Sequence, residues 1–225
     1  MKRLISTIFT LLFPMFFFLP FSALGQDKPK TWIYGHNYIA AKAGAYFPTG
    51  DLDDLDFDTG FNGEIVYGYR FNPNFALEGG VGYFQSNSEV SGTITDPVIG
   101  TVTGTVDMDL WTVPVTVTAK GIYPIDNVEL FAGAGIGLYF VNLDLDASGT
   151  ISGGALGTIS GTISTDDDDT IFGGHILAGA NVNITPNVFI GIEGKYIITD
   201  EAEFFGVKFS ELDGFILTGN IGIRF

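Results

Sequence analysis

From about residue 37 to the end of the chain, apolar and polar side chains alternate with a period of two in eight successive segments. Such alternation marks a strand with one apolar face. The first segment, residues 37–47, sets Ile39, Ala41, Ala43, Ala45 and Phe47 against Lys42 and Gly44. The second, 60–71, sets Phe61, Ile65, Tyr67, Tyr69 and Phe71 against Asn62, Glu64, Gly68 and Arg70. The third, 75–85, carries Phe75, Leu77, Val81 and Tyr83 opposite Glu78 and Gly80, and the fourth, 109–120, carries Trp111, Val113, Val115 and Val117 opposite Thr112, Thr116, Thr118 and Lys120. The same rule runs through 128–140 (Leu130 to Phe140 against Glu129 and three glycines) and 171–184 (Phe172 to Ile184 against His175, Asn181 and Asn183). It continues through 188–199 (Ile190, Ile192, Tyr196 and Ile198 against Glu193 and Lys195) and 213–225 (Phe215, Leu217, Ile221, Ile223 and Phe225 against Thr218, Asn220 and Arg224).

No charged residue interrupts the apolar bands. A charge facing lipid at the midplane of a bilayer costs about 2–4 kcal/mol, which gives that avoidance a physical cause. Each segment also has the ~9–11 residues that a tilted spanning strand needs. Aromatic residues gather toward the ends of the stripes, as interfacial girdles do. The connectors alternate: Asn72-Pro73-Asn74, Gly121 to Asn127 and Thr185-Pro186-Asn187 are short, whereas 48–59, 86–108, 141–170 and 200–212 are longer. The expected fold is therefore all-β: an eight-stranded antiparallel transmembrane up-and-down barrel with short periplasmic turns and longer extracellular loops. The soluble alternative, a lipocalin-like barrel with an apolar interior, is disfavoured because charges and amides mark the inner face; an all-polar interior with glycine gaps is expected. Pro114 lies in the middle of a strand, lacks an N–H for the ladder, and predicts a bulge or local break.

The first 25 residues have the organisation of a cleaved signal peptide: Lys2 and Arg3, an apolar stretch from Leu4 to Phe21 broken by Pro14 and Pro20, and Ala23-Leu24-Gly25 before Gln26. Residues 26–35 then form a periplasmic segment and 36–225 the outer-membrane barrel domain. Cysteine is absent, which excludes disulfides, thiolate chemistry and a lipid-modified cysteine after the leader. The mean hydropathy is +0.31 although the net charge is −16, so apolar and acidic residues are segregated. The acidic balance excludes nucleic acid as a partner.

Several motifs resemble a known group. Gly60-Phe61-Asn62-Gly63-Glu64, Gly68-Tyr69-Arg70-Phe71-Asn72-Pro73-Asn74-Phe75-Ala76-Leu77-Glu78, Lys42-Ala43-Gly44-Ala45-Tyr46-Phe47-Pro48 and Val113-Pro114-Val115-Thr116 are similar to segments of small eight-stranded outer-membrane β-barrel proteins, the porin-like OmpA/OmpX/OmpW-like group. The resemblance covers essentially the whole chain after the leader. In the terminal Ile221-Gly222-Ile223-Arg224-Phe225, the residues Ile221, Ile223 and Phe225 resemble the C-terminal assembly signal of such proteins. That implies outer-membrane lipid as the solvent and the barrel-assembly machinery as a biogenesis partner. An OmpW-like barrel would also permit a narrow channel or lateral route for small or hydrophobic solutes.

Five inward cations, Lys42, Arg70, Lys120, Lys195 and Arg224, face four inward anions, Glu64, Glu78, Glu129 and Glu193. Buried charges require pairing, so a structural network that fills the lumen is expected in preference to a gated pathway. The long connectors hold most of the 26 acids: Asp51, Asp53, Asp54, Asp56 and Asp58; Glu89, Asp96, Asp107 and Asp109; Asp144, Asp146 and Asp166 to Asp169; Asp200, Glu201, Glu203, Glu211 and Asp213. Only Lys208 lies among them as a basic partner. Their spacing fits no defined Ca²⁺ loop, and diffuse screening by divalent cations is expected. Ser91-Gly92-Thr93-Ile94-Thr95 and Gly100 to Val106 recur, at one constant offset, as Ser148-Gly149-Thr150-Ile151-Ser152 and Gly157 to Ile163. Their alternation suits either hairpin extensions with exposed edges or flexible low-complexity loops.

For catalysis the chain offers two histidines: His36 at the periplasmic entry to the first strand, and His175, facing inward in the upper part of the sixth, near enough to the loop acids for a His–Asp pair but with no Ser anchored beside it, so that a satisfied interior histidine is expected. No phosphate loop, metal-ligand run or nucleotide fingerprint occurs, and no cofactor is implied. The expected role is non-enzymatic: a structural or surface-interaction function in the cell envelope. A solute channel is the alternative, and a rim-located lipid-modifying enzyme a more distant one.

Overall fold

The computed structural model describes residues 36–50, 52, 57–96, 100–153, 158–200, 202–204, 207–209 and 212–225, with side chains at 96, 100 and 202–209 left aside. The proposed leader and the segment 26–35 lie outside the described residues. So do Asp51, Asp53, Asp54, Asp56, Glu201 and Glu211, and the side chains of Asp96, Glu203 and Lys208.

The strands are β1 (Asn37–Pro48), β2 (Gly60–Asn72), β3 (Phe75–Asp96), β4 (Gly100–Ile125), β5 (Val128–Ser152), β6 (Thr158–Asn183), β7 (Val188–Thr199) and β10 (Gly214–Arg224), with a small hairpin of β8 (Ala202–Phe204) and β9 (Val207–Phe209) before β10. The eight long strands close into a barrel in which every neighbour is antiparallel, in the order β1-β10-β7-β6-β5-β4-β3-β2. Closure joins the first strand to the last, with Lys42 opposite Asn220 and Ala45 opposite Leu217. Through the spanning part of this ring no strand has a free edge, which is what hydrocarbon demands. The outward stripes are open to the surroundings: Ile65, Val81, Ile136 and Ile192 are all more than half exposed. An aliphatic belt of this kind fits a hydrocarbon solvent.

Two features resolve alternatives that the sequence left open, the long connectors and Pro114, and two differ from its expectation. The connectors 86–108 and 141–170 are mostly strand, because their Gly/Thr/Ile alternation sustains the ladders β3–β4, β4–β5 and β5–β6 far above the rim. The connector 121–127 is also shorter than expected: β4 runs to Ile125, and Asp126, with φ 52°, turns the chain into β5. Asp tolerates this left-handed conformation better than most residues. At Pro114 the β3–β4 pairing lapses between Val81↔Val115 and Phe84↔Thr112 and resumes in the same register. The irregularity is therefore a local break and not a bulge, and Gly82 gives the proline ring room, since a Cβ there would lie 3.1 Å from Pro114 Cγ. A true register shift occurs instead at Arg70/Asn72, just before the turn into β3.

The second difference is the interior, which is layered rather than all polar. Tyr46, Phe84, Leu110, Tyr139, Val141, Leu143, Ile171, Ile197 and Ile216 point inward near the outer end, where they pack with Leu52, Phe57 and Leu212. A second apolar group, including Tyr38, Val66, Phe131, Leu177 and Phe189, lies toward the periplasmic end. Inward glycines make room for such rings. At Gly68 a Cβ would overlap the ring of Tyr38, and at Gly222 it would overlap that of Phe189.

Candidate functional site

The charged residues of the lumen fall into two groups, set by how far along their strands each lies. Nearest the periplasmic end, Glu129 on β5 joins two arginines: Arg70 Nη1 donates to Oε1 at 2.9 Å, and Arg224 Nη2 donates to Oε2 at 2.7 Å. Both carboxylate oxygens are thereby used, and the guanidiniums find further acceptors in Pro73 O at 3.2 Å and Asn183 Oδ1 at 2.6 Å. Arg224 also lies over the ring of Phe189, 4.5 Å from its centroid, a cation–π geometry.

Above this lies a neutral set of three lysines and three glutamates. Lys42 Nζ donates to Glu193 at 2.8 and 3.1 Å and approaches Glu64 at 3.5 Å and Glu78 at 3.6 Å. Lys120 Nζ bridges Glu78 at 2.9 Å and Glu193 at 3.0 Å, and Lys195 Nζ donates to Glu64 at 2.7 Å. The Tyr38 hydroxyl donates to Glu78 Oε1 at 2.6 Å. All six charged side chains are at most 8% exposed. Burying so many ions is costly unless their mutual geometry satisfies them, as it does here. All nine residues singled out from the sequence therefore point inward, but they separate into a lysine–glutamate set and an arginine–glutamate set. The cavity between the two sets measures about 20 Å³, room for about one water molecule.

His175 lies in this layer, and its Nε2 is 2.8 Å from Thr118 Oγ1. It is buried, at 3% exposure, away from the loop acids that sequence reasoning had imagined beside it. His36 sits at the start of β1, where its Nδ1 is 3.2 Å from Arg70 O and its ring stacks on Tyr69.

Sequence reasoning missed the apolar closure of the outer mouth. Tyr46, Phe84, Leu110, Tyr139, Leu143, Ile171, Ile197 and Ile216 share the inward parity of the charged residues, so charge alone was a poor marker of the inner face. The usable signal was the run of apolar residues at both parities toward the outer end of most strands, β2 excepted, as in Leu110-Trp111 and Phe215-Ile216-Leu217. Asp213, at the edge of this closure, accepts from the Thr199 N–H at 3.1 Å. Burial raises its carboxyl above the ordinary carboxylate range, partly offset by that hydrogen bond.

Beyond the closure β3, β4, β5 and β6 continue as a four-stranded sheet, rising roughly 20–25 Å at strand rise. On the side continuing the lumen wall, Val90, Val106, Ala147 and Ile163 form one cross-strand row. The next such row is Gly92, Gly104, Gly149 and Gly161, and the one above it Ile94, Val102, Ile151 and Ile159. The opposite face carries Ser and Thr, with acids at its base: Asp107 faces Asp146, and Asp144 lies between Asp109 and Asp166. Among the described residues no group of three or more acids or histidines is arranged to hold a metal ion.

The family model of the outer membrane protein beta-barrel domain matches residues 11–225. The chain belongs to this family. Its place is accordingly the bacterial outer membrane, in keeping with the closed ring and the exposed aliphatic belt. Among solved structures of this barrel type, Neisserial surface protein A is 18% identical, with a TM-score of 0.50 over 85% of this chain and 98% of its own. Ail, the attachment invasion locus protein of Yersinia pestis, solved with the heparin analogue sucrose octasulfate, is 18% identical over 84% of this chain and 96% of its own, with a TM-score of 0.38. The N-terminal β-barrel domain of Pseudomonas aeruginosa OprF is 15% identical over 85% of this chain and 100% of its own, also with a TM-score of 0.38. At these identities the likeness is one of fold. No curated protein matches the chain.

Proposed function

We propose that this outer-membrane barrel is a non-enzymatic, closed-lumen protein whose role is exercised at the cell surface by the sheet that β3 to β6 raise above the rim. The observation that carries this reading is the contrast between the two ends of the same strands. Within the membrane the lumen holds an apolar closure and two ion-paired sets, and the cavity between those two sets measures only about 20 Å³. Above it, four strands of 22 to 26 residues continue where the other four, of 11 to 13, stop. Strand length beyond the hydrocarbon adds nothing to spanning it, so the extension is attributed to a surface task. The hydrogen bond of buried His175 to Thr118 suits a packed interior residue, which supports a role without catalysis.

In this reading residues 1–25 direct export and are removed. Ile221, Ile223 and Phe225 present the apolar C-terminal signal to the barrel-assembly machinery, and divalent cations screen the acidic base of the extension. The refolded mature protein in a planar bilayer is expected to be electrically silent. A reproducible conductance that Glu64→Gln or Lys195→Gln alters would overturn the closed-lumen reading and install the solute channel in its place.

A further inference from the structure

Among the described residues, the sheet above the rim has no paired neighbour along residues 90–95 of β3 or along residues 158–165 of β6. The edge segment of β3, residues 90–95, and that of β6, residues 158–165, are exposed along their whole length, with Ile94 72% and Ile163 70% accessible. Neither segment contains a charge or a proline, the usual guards against edge-to-edge pairing. Both are short, β-prone and rich in Thr and Ile, a composition that favours strand addition.

The internal repeat supplies the partner. Thr158 to Ile163 on β6 repeats Thr101 to Val106 on β4, and Ser91 to Thr95 on β3 repeats Ser148 to Ser152 on β5. Inside the molecule β4 and β5 already pair through these sequences: Thr101 faces Ser152, Val102 faces Ile151, Thr103 faces Thr150 and Gly104 faces Gly149. The pairing that joins the two hairpins is therefore one for which the two outer edges carry closely similar residues, with Val102 replaced by Ile159, Thr103 by Ser160 and Ser152 by Thr95. We propose that β6 of one molecule adds to β3 of a second copy of this chain in the same membrane, with Ile159 opposite Ile94, Ser160 opposite Thr93, Gly161 opposite Gly92 and Ile163 opposite Val90.

Membrane orientation favours this pairing over the others. All copies stand the same way up, so a strand that rises in one rises in every other. β3 rises from the periplasmic turn and β6 descends toward it, so β6 against β3 is antiparallel, as β4 against β5 is. β3 against β3, or β6 against β6, would be parallel and would lose the template. The interface is head-to-tail, so it propagates into rings or rows and does not stop at a dimer. Confinement to one plane raises the effective concentration of the short edges. The inference rests on the surface reading above and names the partner.

Because the chain has no cysteine, introduced pairs can be followed without background. The full chain carrying Thr93→Cys and Ser160→Cys is oxidised in native outer membranes and sized on a denaturing gel. Within one molecule these positions lie three strand spacings apart, about 14 Å, beyond the ~4.4–6.8 Å between α-carbons that a disulfide spans. Linkage therefore requires two copies. A series of dimers and higher multiples is expected, at least tenfold stronger than for the off-register pair Thr93→Cys and Thr158→Cys. The intramolecular pair Thr103→Cys and Thr150→Cys should link within the monomer, which reports that the sheet is formed. Adding Ile94→Lys and Ile159→Lys should abolish the multiples, and Ile94→Lys with Ile159→Glu should restore them. Monomer alone in the presence of the intramolecular link overturns the proposal, as does equal linkage of the off-register pair or absence of the intramolecular link. A barrel that is silent in bilayers yet never links keeps the surface reading and loses this partner. One that conducts and links loses the surface reading and keeps the pairing.

Discussion

Replacing Glu193 by Gln tests whether the lumen is held by charge balance. The carboxylate takes three short hydrogen bonds, from Lys42 at 2.8 and 3.1 Å and from Lys120 at 3.0 Å, at a side chain only 1% exposed. The amide is nearly isosteric, so the change removes one charge and little volume. Three lysines then face two glutamates, and Lys42 is left with Glu64 at 3.5 Å and Glu78 at 3.6 Å. Removing one partner of a buried ion pair costs about 3–5 kcal/mol, because the other charge stays desolvated. The folding equilibrium should therefore move by about two to three and a half orders of magnitude, at about 1.4 kcal/mol per factor of ten. Urea unfolding of the refolded protein in lipid vesicles, followed by gel mobility and tryptophan fluorescence, reads this directly. Salt up to about 0.5 M should not rescue it, since screening acts on exposed charges. Adding Lys42→Met restores neutrality, and the double variant should be more stable than Glu193→Gln alone, a positive coupling of about 0.5–3 kcal/mol. A loss under about 1 kcal/mol for the single variant, or purely additive losses in the double, would refute the argument that the network is held by charge balance.

Other expectations follow from the rim and the C-terminus. Because burial raises the Asp213 carboxyl in the folded state, the folded protein binds its proton more tightly than the unfolded chain does. Its contribution to stability is then fully present below the ordinary carboxylate pKa and is lost as pH rises through the raised value. Asp213→Asn should flatten that part of the stability–pH curve, and an unchanged curve would refute the assignment. At the base of the extension Asp144 faces Asp109 on one side and Asp166 on the other, and like charges directly opposite destabilise a sheet by about 0.2–1 kcal/mol per pair. Asp144→Asn should thus slow proteolytic nicking of the β4–β5–β6 sheet, most visibly at low salt. Phe225 is 56% exposed at the barrel's outer surface, so Phe225→Ala should lower the amount of folded barrel in cells several-fold while leaving refolding into detergent nearly unchanged. Equal losses in both assays would make its role one of packing.

Alternation by itself determined the number of barrel strands, their faces and their antiparallel order. The reason is that the side-chain period of a strand is two, and lipid tolerates no charge on the outward face, so each stripe from Ile39 to Phe225 had one solution. It also placed all nine charged residues on the inner face, because parity is a local property. Tertiary structure decided everything that depends on height within the barrel. Register aligned Lys42 with Glu193 across 151 positions of chain, separated Glu129 with its two arginines from the lysine set, and stacked Tyr46 and Phe84 into an apolar closure at a ring separation of 4.6 Å. Parity could not distinguish inward Leu110 or Ile216 from a lipid-facing residue, since apolar side chains suit both a packed lumen and hydrocarbon. The repeat in the two long connectors was legible, but not its consequence. The turn at Asp126 sets β4 against β5, and their ladder then runs without a shift from Ile125 and Val128 to Thr101 and Ser152, merging the two hairpins into one sheet; that it continues past the rim was decided only in the folded molecule.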